Sequence, residues 1–144
     1  MKRLIFKVIT VVMLGSSSLL SADFDWMQNL NYSAVANKDA YKAKLSSRFH
    51  MAKAQIDFFM KGIRAPADVY MVLRLSELSG RFPESVMEKY QQKKREGWIK
   101  IAQSVGVKTD SKEFQALKKG HDLQGFGTNP PPTTKPSKIA KKKY

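Results

Sequence analysis

Glycine and proline interrupt this chain at Gly62, Pro66, Gly80, Pro83, Gly97, Gly106 and Gly120. Each marks a helix boundary. Proline has no amide to donate and suits only a first turn, and glycine takes the left-handed backbone that ends a helix. Between these breaks the apolar residues fall at helical spacings, and nowhere do they alternate as in a half-buried strand flanked by hairpin turns. The fold class expected is all-α: a compact array of five to six short helices, with local pieces resembling a helix-turn-helix.

The helices can be placed. Asp23–Tyr32 is a short aromatic lead whose Trp26 and Leu30 dock onto the core, with Tyr32 a third candidate. Asn37 is a good N-cap, because its side chain can accept from free first-turn amides. Beyond it Tyr41, Leu45, Phe49, Ala52, Ile56 and Phe59 share one helical face, with a break near Phe49–Met51 as the alternative. Pro66 opens a helix that ends at Gly80, with Val69 and Leu73 inward and Val72, Ser76 and Leu78 as further candidates. Pro83 opens the next, with Val86, Met87 and Tyr90 as its apolar side. Trp98, Ile101, Ala102 and Val105 form another apolar face. Asp110-Ser-Lys-Glu113 has the spacing of a capping box ahead of the buried pair Phe114 and Leu117.

The two ends differ from the middle. Lys2, Arg3 and Lys7 precede the apolar run Val8–Leu14 and the small residues of Gly15–Ala22, the plan of a secretory signal peptide. The run is shorter than the roughly 20 residues a membrane-spanning helix needs. We expect residues 1–22 to be removed after Ala22, a helical domain over 23–127, and a disordered Pro- and Lys-rich tail over 128–144. The mature protein is then expected to be periplasmic or secreted, with no transmembrane span. The chain contains no cysteine, which excludes disulfides and thiolate metal sites. Its net charge is +14, of which the tail's five lysines and the three N-terminal cations carry a large share. Such a protein is drawn to polyanions.

Residues 97–120 carry the helix-turn-helix likeness. Ala102, Gly106 and Val107 fit a buried alanine, a turn glycine and the apolar residue after it. The second helix then needs a buried residue where Lys112 stands, and Phe114 comes two positions late. Asp110 and Glu113 also put negative charge where a recognition helix meets phosphate. Lys112, Gln115, Lys118 and Lys119 offer phosphate attraction, which carries no sequence information. Specific DNA binding is not expected.

The segment from Pro66 to Asp122 resembles a family of small exported bacterial helical proteins. Their pattern includes a SPADAYM stretch, an RLxEhSG stretch with h apolar, and GWGxIAxxLGIKPGSxEFHALKxGHD. This chain shows Ala65–Met71, Arg74–Gly80, Gly97-Trp98, Ile101-Ala102, Gly106–Lys108, Ser111, Glu113-Phe114, Ala116–Lys118 and Gly120-His121-Asp122 at the matching places. It departs at Ile99, at Thr109-Asp110 and at Gln115, which stand for glycine, Pro-Gly and histidine. The resemblance implies export and a helical fold, and it implies no activity.

Chemistry is sparse. His50 and His121 are the only histidines, fewer than the three or four ligands a zinc site takes. His121 and Asp122 are neighbours that do not automatically point together. No serine sits in a nucleophile elbow, and Glu77 beside Arg74 suggests a surface ion pair. No enzyme, metal or cofactor is expected. The expectation is a non-enzymatic binding or interaction module for an anionic envelope component or an acidic protein partner. Its candidate face is Lys93, Lys94, Arg95, Trp98, Lys100, Lys112, Lys118 and Lys119. Trp98 either completes a core with Ile101, Phe114 and Leu117 or serves as a partly exposed platform beside Lys94, Arg95 and Lys100. Two alternatives stay open: an exported protein that binds nucleic acid non-specifically, and a small metal protein or enzyme using His50, His121 and nearby carboxylates.

Overall fold

A computed structural model describes residues 23–127; the expected signal peptide and tail lie outside the described residues. The described chain is all-helical. Seven helices follow one another: α1 Trp26–Ala36, α2 Lys38–Phe49, α3 Lys53–Gly62, α4 Pro66–Ser79, α5 Pro83–Lys93, α6 Trp98–Ser104 and α7 Lys112–Lys119. The count exceeds the expected five to six for two reasons. The aromatic lead is a full helix, α1, that runs past Tyr32 to Ala36. The long apolar face of 41–59 is split at His50, which takes a left-handed conformation at φ 53° and ψ 41°. There the amides of His50 and Met51 both return to the Ser46 carbonyl, and the Ser46 hydroxyl donates to the Met51 carbonyl. Apolar spacing survives the break, but Ala52 becomes exposed and Phe49 half-buried.

Helix α4 is the centre. Ala67, Val69, Tyr70, Met71, Val72, Leu73 and Leu75 are all buried, so it is apolar around most of its circumference, as a helix covered on several sides must be. Helices α1 and α5 pack against it. Burying one large aliphatic side chain contributes about 1.5–3 kcal/mol, so this helix makes the largest contribution of any described helix to the apolar core. Its first turn has no side-chain cap of its own. Asn31 of α1 supplies one, accepting from the Ala67 amide at 2.7 Å, and the Tyr41 hydroxyl donates to the Pro66 carbonyl at 2.6 Å. Two other helices thus read the start of α4. Trp26 and Leu30 are fully buried as expected, whereas Tyr32 is 70% exposed.

Several local expectations hold. Asn37 accepts from the Ala40 amide, Pro66 and Pro83 open their helices, and Gly80 closes α4 with φ 69°. The cap of α7 is displaced by one residue from the expected box. Ser111, not Asp110, accepts from the Phe114 amide at 3.2 Å, and the Gln115 side chain reaches back to the Thr109 carbonyl. The connection between α6 and α7 spans residues 105–111, so the tight turn of a DNA-reading helix pair is not formed. Among the described residues no helix is long and apolar enough to cross a membrane.

Candidate functional site

The eight candidate residues fall into two groups. Lys93, Lys94, Arg95, Trp98 and Lys100 lie where α5 turns into α6. Lys112, Lys118 and Lys119 lie on α7. The turn is made at Gly97, whose φ of 91° places Trp98 at the head of α6. Trp98 is half-buried and packs against the edge of the core, with part of its surface in solvent. It stacks on Tyr90 of α5, with ring centroids 5.3 Å apart and planes 18° apart. The Tyr90 hydroxyl donates to Asp68 in the first turn of α4 at 2.5 Å. Burial, then this bond and the Asp68 charge, push the Tyr90 hydroxyl pKa well above its usual range. The stack is therefore anchored to the central helix. Around it Lys94, Arg95 and Lys100 are exposed, and Ile99 keeps 39% of its surface in solvent. Lys93 pairs with Glu96 at 3.5 Å; no ion pair joins Lys94, Arg95 or Lys100 to a carboxylate among the described residues.

The α7 group is used differently. Lys118 pairs with Asp23 at 3.1 Å and its carbonyl accepts from the Phe24 amide. Lys112 is exposed in the first turn. Lys119 borders two adjoining grooves of about 410 and 450 Å³. The grooves share Lys119, Gly120, His121 and Asp122. Trp26, Leu123, Gln124 and Gly127 line the first, and Tyr70, Arg74, Ala116 and Leu117 the second.

The groove walls are fixed by a polar network that spacing alone does not show. Arg48 of α2 holds Glu77 of α4 with two hydrogen bonds, at 2.7 and 3.1 Å, and Asp122 with a third at 2.8 Å. The Tyr70 hydroxyl donates to the other Asp122 oxygen at 2.8 Å. Arg74 also reaches Glu77, the surface pair expected from sequence. On the far side of the chain His121 points elsewhere. Its Nδ1 accepts from the Leu123 amide at 3.1 Å, so Nε2 carries the proton and donates to the Gly127 carbonyl at 2.9 Å. Its ring rests against Trp26 and Tyr70. Trp26 donates to the Leu117 carbonyl at 2.9 Å. The two histidines are apart in role: His50 ends α2 and is exposed, and His121 is half-buried in the groove wall.

Partial burial raises the Asp122 carboxyl, but hydrogen bonds from Tyr70 and Arg48 outweigh it and hold the group below its usual value. Glu77 is lowered in the same way: burial raises it, and Arg48 and Arg74 more than compensate. A carboxyl depressed in the folded state binds protons less readily than in the unfolded chain. Its stabilisation is full above the unfolded value, about 4, and is lost as pH falls through the lower folded value. Urea midpoints should therefore drop steeply below about pH 4, and Asp122→Asn should lower the midpoint near neutrality while flattening the acid decline. An equally steep acid decline in that variant would remove Asp122 from the account. Asp68 acts in the opposite sense, because burial raises it despite the bond from Tyr90.

Sequence reasoning singled out the cations and Trp98 but missed Trp26, Arg48, Tyr70 and Asp122 as groove-forming residues. The Gly120-His121-Asp122 triplet closing the motif was the available pointer. Among the described residues no group of three or more His, Cys, Asp or Glu side chains is placed to hold a metal ion. No protein-family model, no curated protein and no solved structure matches the chain.

Proposed function

We propose that this chain is an exported, non-enzymatic binding module that docks on anionic phospholipid surfaces of the cell envelope through the α5–α6 corner. The observation that carries the reading is the Trp98–Tyr90 stack, tied to α4 and rimmed by exposed Lys94, Arg95, Lys100 and Ile99. An aromatic ring and an aliphatic side chain beside unpaired cations suit an interface that is apolar just below a negatively charged surface. Support for export comes from the residue pattern of 1–22 and from the resemblance over Pro66–Asp122. The basic tail adds diffuse attraction.

The test is co-sedimentation with vesicles of phosphatidylglycerol and phosphatidylcholine, or phosphatidylcholine alone, using the chain with and without residues 128–144. Binding to the anionic vesicles should persist without the tail. It should fall at least about tenfold in the triple variant Lys94→Glu, Arg95→Glu, Lys100→Glu, since each surface cation near such a membrane contributes about 1 kcal/mol. Loss of all binding with the tail, or indifference to the triple variant, would sink the corner as the site. Equal affinity for DNA of any sequence with a steep salt dependence would move the reading to nucleic acid. Recovery of a chain starting at Asp23 from the periplasm would support export; an uncut chain in the cytoplasm would end it.

A further inference from the structure

We infer that the paired grooves between α4, α7 and residues 120–127 form a second site, for a small organic anion with a flat apolar body and one carboxylate or phosphate. This inference does not depend on the α5–α6 corner. Together the grooves have the size of small-ligand sites, which span roughly 300–1,000 Å³. Trp26, Tyr70, Leu117 and Leu123 back the grooves from beneath, buried, and the half-buried His121 ring seated against the first two is the flat surface a ligand meets. Both His121 nitrogens are occupied by backbone partners, so the ring offers a face rather than a charge. The Asp122 carboxylate is neutralised by Arg48 and held by Tyr70, so it does not repel an anion as a free carboxylate would.

Among the described residues one groove cation is free for recognition, and a second lies beside it already paired. Lys119 is exposed, borders both grooves and has no ion pair among the described residues. Arg74 lines the second groove, where its guanidinium is held by Glu77 and its buried Nε–H has no acceptor among the described residues. A buried donor without a partner costs free energy, but this nitrogen is closed to solvent, so recognition of the anion falls to Lys119. The walls need little rearrangement, which reduces the ordering cost of binding.

The full chain would be titrated with indole-3-acetate, phenyl phosphate and neutral indole-3-ethanol while following backbone amides and indole N–H groups by nuclear magnetic resonance. Saturable shifts are expected at Gly120, His121, Leu123 and the Trp26 indole. The anionic probes should bind at least about tenfold tighter than the neutral one. Whichever of the two anions binds tighter identifies carboxylate or phosphate as the preferred group. Lys119→Glu should weaken the anions at least about tenfold with the spectrum otherwise unchanged, and Lys112→Glu, exposed on the same helix but outside the grooves, should not. No saturable shifts at millimolar probe, equal binding of the neutral probe, unchanged binding by Lys119→Glu, or shifts centred on Trp98 would each overturn the site.

Discussion

Replacing Trp26 with alanine should lower the melting temperature by on the order of 15–25 °C or leave the body unfolded, while Trp98→Ala shifts it by only a few degrees. The two are the chain's only tryptophans, and their surroundings differ. Trp26 is fully buried, lies edge-on to Tyr70 with centroids 5.7 Å apart, and donates to the Leu117 carbonyl. Truncating such a residue costs about 3–5 kcal/mol in lost transfer energy and the cavity left behind. For a body near 100 residues, about 1 kcal/mol corresponds to roughly 4–8 °C. Trp98 sits at the edge of the core, partly in solvent, and its stack on Tyr90 is worth about 0.5–1.5 kcal/mol. Thermal unfolding followed by circular dichroism checks both. A fall of under about 5 °C for Trp26→Ala would mean that α7 and the segment after it do not cover Trp26 as described.

Gly127→Ala should detach the last described stretch from the body. A Cβ there would lie 2.7 Å from the carbonyl carbon of Asn29 and the nitrogen of Leu30, and 2.8 Å from the Asn29 oxygen. These are backbone atoms of a helix and cannot turn aside as a side chain does. The backbone at Gly127 is also left-handed, with φ 44°. To relieve the clash the segment must give up the bond from the Gly127 amide to the Ser33 hydroxyl and the bond from His121. It must also loosen Phe126, which packs on Tyr41 at 5.5 Å. The expected cost is about 1–3 kcal/mol of local stability, the usual size for overpacking. Amide exchange should speed up from His121 to Gly127 with α4 and α5 unchanged. Gly125→Ala is the comparison: it is left-handed at φ 86° but has nothing within 4 Å of the added carbon. It should show the smaller backbone penalty alone. Equal effects at the two positions would contradict the close approach to α1.

The parts legible in the sequence are those decided within a few residues. Proline and glycine placed the boundaries of α4, α5 and α6 because their backbone limits are local. The break at His50 was only an alternative, since a non-glycine residue in left-handed conformation leaves little mark in the sequence. Ser111 caps α7 in place of Asp110; two good capping residues stand side by side there, and sequence spacing alone does not choose between them. The basic corner was visible because charge and aromatic residues are adjacent there. The grooves were not, because Arg48 and Asp122 lie 74 positions apart and Tyr70 and Asp122 lie 52 apart. Such pairs are made by the packing of α2, α4 and the 120–127 stretch, and no periodicity announces them.

The clasp between the first and last described stretches also sets an order of events. Trp26 finds its acceptor 91 residues later, and Ser33 meets Gly127 after 94. Contacts so distant in sequence must be bought with loop-closure entropy before they return any stabilisation. A growing chain therefore exposes the indole of Trp26 through the synthesis of α2 to α6, and the body can lock only when α7 has been made. A stretch made 91 residues later completes the surroundings of Trp26.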